Sequence, residues 1–278
     1  MPRVDENAVV WDQSWDWSQE GEEWSAWWGG THPLWLGALL PRIHPYIPTG
    51  TILEIAPGHG RWTNYLKDTC DRLIGVDMAE RCVEHCRRRF ADSPHAEFHT
   101  NDGRSLGMVP DGSIDFAFSF DSLVHVEIDV LEAYVEQLAV KLGPDGVGFF
   151  HHSNIGSYPW LTAAAKRVPG KLLPRMISRG LAIDVVAWRA ESVTGERFAA
   201  ACRDAGLHCV SQELMSWEHG PYLIDAISIF TRPGSRWDRE PEVLRNPFFS
   251  AEGRRMRRLY ARSVSSSRDG ASSPAGAG

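Results

Sequence analysis

The segment Leu53-Glu54-Ile55-Ala56-Pro57-Gly58-His59-Gly60 constrains this chain more than any other. A short apolar run ends there in two glycines one residue apart, the pattern of a tight strand-to-helix turn that a ligand can approach closely. The unit then repeats. Thr51 to Ile55 reads as a strand, with a helix from about Arg61 to Thr69. Leu73 to Val76 is a second strand ending at Asp77, followed by a helix from about Ala79 to Phe90. A third strand near Glu97 to Thr100 ends at Asn101-Asp102-Gly103, and a fourth, Ile114 to Phe120, follows the turn at Asp111-Gly112. A helix with one apolar face spans Val130 to Leu142, and Pro144-Asp145-Gly146 leads into a fifth strand, Val147 to Phe150, that ends in His151-His152-Ser153-Asn154. Strands alternating with helices at this spacing imply a doubly wound α/β fold with a mostly parallel sheet.

The alternation then breaks. Residues 155–190 carry Pro159, Pro169 and Pro174 and read as a helical insertion after a C-terminal strand end, facing the acceptor. A helix from about Gly195 to Ala205 and strands at Leu207 to Glu213 and Ile224 to Thr231, joined by a loop with Trp217, Pro221 and Tyr222, fit an antiparallel edge. Residues 51–234 thus form the main domain. Ahead of it, residues 1–50 hold seven of the twelve tryptophans, interleaved with Asp12, Asp16, Glu20, Glu22 and Glu23, and read as a helical flap or lid. Behind it, residues 235–278 carry the basic run Arg254, Arg255, Arg257 and Arg258, expected as a helix that is solvated or docked on a subunit or on the acidic N-terminus. The Ser-, Gly- and Ala-rich stretch from Arg262 to Gly278 is expected to be disordered.

Bulk properties narrow the class. A net charge of −7 argues against general nucleic-acid binding, which needs a basic surface. No apolar run is long enough to span a membrane, and the acidic start lacks a secretory signal, so a cytoplasmic location is expected. Five cysteines, Cys70, Cys82, Cys86, Cys202 and Cys209, suit reduced core thiols; Cys82, His85 and Cys86 share a helix but read as packing rather than a metal site.

The strand ends carry acids. A dinucleotide fingerprint would want a small residue at Thr63 and has no use for Glu54 beside a pyrophosphate, whereas a ligand with an ammonium and a sulfonium can use that carboxylate. Asp77, at the end of the second strand, can accept from ribose hydroxyls, and Asp102 at the end of the third can reach an adenine amino group. With these motifs in register, residues 50–155 resemble the class I S-adenosylmethionine-dependent methyltransferases, a Rossmann-like family. The resemblance implies that Glu54, Ala56, Gly58 and Gly60 hold the methionine part, Asp77 and Met78 the ribose and adenine, and Asn101, Asp102, Gly103 and Phe120 the adenine side of the site.

Methyl transfer to an alcohol requires the hydroxyl to lose its proton, through a general base or a metal. Asp121 and His125 follow the fourth strand and His151-His152 the fifth, and neighbouring strand ends bring them together. His152, farther out, is preferred as the base and His151 is the alternative, since strand alternation sends them to opposite faces. Asp121 and His125 stand four residues apart and would face one point if a helix began there, as ligands with His151 for Mg2+ or a transition metal; a helix-capping Asp with a packed His fits equally. A narrower resemblance covers most of residues 20–232. Gly21-Glu22-Glu23-Trp24-Ser25, Trp28-Gly29-Gly30, Glu54 to Trp62, Asn101-Asp102-Gly103, Ser119 to His125 and His151 to Asn154 look like actinobacterial sugar O-methyltransferases that act on glucosylglycerate and methylmannose saccharides. That resemblance implies a saccharide acceptor, magnesium dependence and a homo-oligomer. The competing reading is metal-independent O- or N-methylation of a natural-product aglycone.

Overall fold

The computed structural model describes residues 3–167, 172, 188–217 and 222–269. Pro169, Pro174 and Pro221 lie outside the described residues. After helix α1 (Val4–Ala8), a π turn (Val9–Ser14) and a 3-10 stretch (Glu22–Trp28), helices α2 (Thr31–Leu34) and α3 (Leu40–Ile43) lead into the sheet. Next come β1 (Thr49–Ile55), α4 (Thr63–Leu66), β2 (Cys70–Asp77), α5 (Glu80–Arg89), β3 (Ala96–Thr100), β4 (Ile114–Ser119), α6 (Ile128–Lys141) and β5 (Leu142–Ser153). The chain continues through α7 (Pro159–Arg167), α8 (Gly195–Asp204), β6 (His208–Met215), β7 (Asp225–Thr231), β8 (Glu242–Asn246) and α9 (Phe249–Asp269).

The eight strands form one sheet in the order β3-β2-β1-β4-β5-β7-β6-β8. The first five are parallel, β7 runs antiparallel between β5 and β6, and β8 pairs parallel with β6. This is the expected doubly wound sheet with an antiparallel edge. Both faces are covered, which is why β1 and β4 are apolar on successive residues instead of alternating with polar ones. Leu53, Ala117 and Phe150 meet Leu131, Val135 and Leu138 of α6 and Phe198 and Cys202 of α8 on one side. Ile52, Phe116, Phe118 and Phe149 meet Trp28, Leu34, Trp35 and Leu39 and α5's Val83 and Cys86 on the other. All five cysteines are free thiols.

Several boundaries differ from expectation. β5 starts five residues early, because Leu142 pairs with Ile114 across a register shift and draws the Gly-Pro-Asp-Gly turn into the strand. The helix after β1 is only α4 with a 3-10 turn, Lys67–Thr69. The edge strand β8 was not expected. The tail was expected to be disordered from Arg262, yet α9 continues to Asp269. That basic helix docks on the N-terminal segment at a tryptophan: the Arg254 guanidinium lies over the Trp27 ring, whose Nε1 donates to the Ser250 carbonyl at 3.2 Å. No helix among the described residues is long and apolar enough to cross a membrane.

Candidate functional site

The strand order reverses between β1 and β4, and the ends of the strands on either side of that point open a crevice where doubly wound sheets bind ligands. A cavity of about 310 Å³ occupies it. Its floor is Ala56, Pro57 and Gly58 from the first turn, Asp77 and Met78 after β2, Gly103 after β3, and Phe120 and Asp121 after β4. The N-terminal segment roofs it with Trp11, Trp15, Trp17 and Trp24.

Local hydrogen bonds shape the floor. Asp77 accepts from the Gly58 N–H and the Ala79 N–H, both at 2.9 Å, so one carboxylate ties the glycine turn to the start of α5. Burial pushes its pKa up to about 6 against those bonds. Gly58 has φ +58°, and a Cβ there would meet the Trp17 ring at 3.0 Å. Gly60 has a different role from the one expected: it does not line the cavity, and a Cβ would strike the Phe90 ring at 2.4 Å. Its smallness seats the turn on α5.

Glu54 stands behind the turn rather than on the cavity wall. One oxygen accepts from the Thr63 hydroxyl at 2.5 Å and the other is buried without a hydrogen-bond partner. Burial pushes this carboxyl up to about 8. Such an orphaned acid beside a glycine turn suits a cationic methionine moiety, and with Asp77 it fits S-adenosylmethionine. Asn101 and Asp102 turn away from the cavity. Asn101 Oδ1 accepts from the Gly103 N–H at 2.9 Å, and the exposed Asp102 carboxylate accepts from the N–H groups of Arg104 and Ser105, which hold its pKa down. Of that loop, Gly103 alone reaches the cavity wall.

The expected chemical residues separate. His151 and His152 do point to opposite faces, and both are 0% exposed. His152, preferred from the sequence as the base, is not at the cavity: it stacks on Phe198 at 4.3 Å, with Nδ1 bonded to the Ser153 carbonyl and Nε2 to the Ser228 hydroxyl. Alternation puts it under α8, on the side away from the cavity. His151 lies on the correct face, between Phe120 and Trp217, but behind the cavity wall. Its Nδ1 accepts the Asp121 N–H at 3.1 Å, so the neutral ring carries its hydrogen on Nε2, 3.5 Å from Asp225. Asp225 is held well below the usual carboxylate range: burial pushes it up, and the paired bonds from Arg189, at 2.6 and 2.7 Å, override this.

Asp121 and His125 do not share a helical turn. Asp121 has φ +66° and only Leu123–His125 is 3-10, so the expected four-residue convergence does not form. The Asp121 carboxylate instead pairs with Arg61 at 2.8 Å, and Arg61 is clamped by the Ser25 hydroxyl at 2.9 Å and by the faces of Trp24 and Trp62. His125 lines the cavity, with Nδ1 2.5 Å from the Trp188 carbonyl. Burial lowers its pKa to about 4, which keeps the ring neutral near pH 7. With Asp121 committed to Arg61, and with His125 and His151 each anchored to backbone, the donors proposed for Mg2+ do not converge. Among the described residues no three His, Cys, Asp or Glu side chains group to hold a metal. The described donors Asp121, His125 and His151 do not fit a magnesium site.

Sequence reasoning missed Asn7, Arg61, Tyr134, Trp188 and Arg189, which all line the cavity. Arg61 was within reach, since an arginine directly after a glycine turn starts on the ligand side.

Comparison with known proteins gives the domain a kind. Residues 52–146 match the family described as methyltransferase domain. The ribosomal RNA small subunit methyltransferase A of Geobacter metallireducens is 37% identical over 62 residues, 21% of this chain and 22% of that protein. The chain thus spans about a fifth of the length of the curated relatives it matches. Among solved structures, PKMT2 from Rickettsia typhi, in complex with AdoHcy, superposes with a TM-score of 0.53 at 13% identity, covering 70% of this chain and 51% of that one. The N-methyltransferase NodS from Bradyrhizobium japonicum, in complex with S-adenosyl-L-homocysteine, does so with a TM-score of 0.50 at 14% identity, covering 83% and 96%. At these identities the likeness is one of fold.

Proposed function

We propose that this chain, which carries an S-adenosylmethionine-dependent methyltransferase domain on the class I fold, moves the methyl group onto a hydroxyl of a sugar or glycoside. The observation that carries the acceptor class is the aromatic roof of the cavity. Trp11, Trp15, Trp24 and Trp188 form a continuous aromatic surface, with ring centroids 5.2 to 6.3 Å apart. Apolar sugar faces stack on such rings, and the Arg61–Asp121 ion pair and Arg189 border the same cavity. On the same reading residues 1–50 act as a lid, residues 51–234 are the catalytic domain, the insertion at 155–190 helps to select the acceptor, and the cofactor lies on Gly58, Asp77, Met78 and Gly103, with the Glu54 carboxyl behind the turn. The free thiols favour the cytoplasm. Support for a homo-oligomer comes from the family resemblance alone.

The test is S-adenosylhomocysteine release on a panel of saccharides, glycosides and aglycones, each with EDTA and with added Mg2+. Turnover on a saccharide, equal in both conditions, is expected. Turnover confined to an amine or an aglycone would replace the acceptor, and turnover that EDTA abolishes would bring the metal back.

A further inference from the structure

Transfer to a hydroxyl needs a proton acceptor, and the groups that the sequence brings forward are occupied. His152 is on the far face, His151 has its Nδ1 lone pair on the Asp121 N–H while Nε2 carries the ring hydrogen behind the cavity wall without a hydrogen bond among the described residues, and Asp121 is paired with Arg61. We infer that His125 is the general base, taking the acceptor proton on Nε2. The inference rests on the hydroxyl reading above.

A carbonyl oxygen can only accept, so the contact to Trp188 places the hydrogen of the neutral ring on Nδ1. The Nε2 lone pair is then available, and among the described residues it has no hydrogen-bond partner; the side chain borders the cavity. The ring is positioned from several sides. Trp11 lies 5.4 Å from it and Trp188 6.0 Å, and the His125 carbonyl accepts from Asn7 Nδ2 at 2.7 Å. Asn7 in turn accepts from Trp11 Nε1 at 2.9 Å, so the aromatic surface and the base are fixed by the same side chain. A histidine held in one tautomer by a backbone carbonyl, with its other nitrogen toward a ligand space, is the arrangement that general-base catalysis requires.

In the step, the acceptor oxygen forms its bond to the methyl carbon as the methyl–sulfur bond breaks, and that electron pair stays on sulfur to give S-adenosylhomocysteine. The hydroxyl proton passes to Nε2, and the imidazolium, still donating from Nδ1 to Trp188, releases it to solvent once the product leaves.

Two measurements on the full chain decide the matter. The first needs no acceptor: nitrogen-15 spectra with S-adenosylhomocysteine bound, the His125 signals assigned by their loss in His125→Asn. Protonated Nδ1 and bare Nε2 are expected; a hydrogen on Nε2, or an Nε2 signal that moves on adding Mg2+, overturns the assignment. The second uses His125→Asn itself, whose amide keeps a donor for the Trp188 carbonyl and removes Nε2. On a saccharide that the panel methylates, turnover should fall on the order of 10²- to 10⁴-fold with S-adenosylhomocysteine affinity retained, and added imidazole should restore part of the turnover lost in His125→Ala. Full turnover in His125→Asn sinks the base, whereas a panel with no methylated saccharide sinks the acceptor and leaves the tautomer result to decide on His125.

Discussion

Glu54 and Thr63 share a 2.5 Å hydrogen bond that satisfies one carboxyl oxygen and leaves the other buried without a partner. With its pKa pushed up to about 8 by burial, Glu54 is largely protonated in the free protein at neutral pH. An ammonium or sulfonium nearby favours the carboxylate, so cofactor binding should expel a proton below about pH 8. Affinity should therefore rise with pH up to about 8 and then level off. The stability of the free protein runs the other way. A carboxyl raised in the folded state contributes fully below its ordinary value of 4.5, and that contribution is lost as pH rises toward 8. Titration calorimetry in two buffers of different ionisation enthalpy reads the proton directly; affinity that ignores pH across this range removes Glu54 from the cofactor site.

Asp77→Ala strips the Gly58 and Ala79 N–H groups of their shared acceptor. The change should weaken S-adenosylhomocysteine binding by about 1 to 3 kcal/mol, the size of a lost charge-assisted hydrogen bond with its orphaned donors. Calorimetric affinity at the level of the parent would place the ribose elsewhere.

His152→Ala is a packing change. The ring is enclosed under Phe198, so the cost should be about 2 to 4 kcal/mol of folding stability. Turnover per folded molecule should stay close to the parent's, as judged by urea midpoints alongside rate. A stable His152→Ala protein without activity would restore His152 as the base.

Arg81 joins the N-terminal segment to α5. Its N–H donates to Asp12 at 3.1 Å and its guanidinium to the carbonyls of Trp11 and Trp15 at 2.9 and 2.7 Å. Arg81→Ala removes the two guanidinium bonds. At roughly 0.5 to 1.5 kcal/mol each, S-adenosylhomocysteine should dissociate about 5- to 150-fold faster. Stopped-flow tryptophan emission would follow it, and an unchanged off-rate would count against the lid.

In the parallel half of this sheet β1, β2, β4 and β5 were legible as apolar runs beside a glycine or a strand-end acid, whereas β3, with Phe98 its one buried residue, was placed by the Asn101-Asp102-Gly103 turn that ends it. β8 was not: Glu242 to Arg245 are exposed, so no apolar period marks the strand, and only pairing with β6 defines it. At the site, alternation foretold that His151 and His152 part company. Which of them faces the cavity depends on α8 lying over one side of the sheet, a tertiary fact that no local pattern encodes. The positive φ of Asp121 likewise defeated an argument from helical spacing. Trp188 and Arg189 sit at the end of an insertion without periodicity, so their approach to the cavity could be expected only in outline.

Asn7 binds the His125 carbonyl and Trp11 together, and Trp17 covers Gly58. Under the proposed lid role, one aromatic roof covers the cofactor turn and the acceptor surface together. Fresh cofactor cannot replace the old one while the aromatic roof is in place, and lifting the roof undoes the acceptor surface and loosens the base at once. The molecule would then work as an airlock, reactive only when sealed, with reactant exchange and chemistry separated in time.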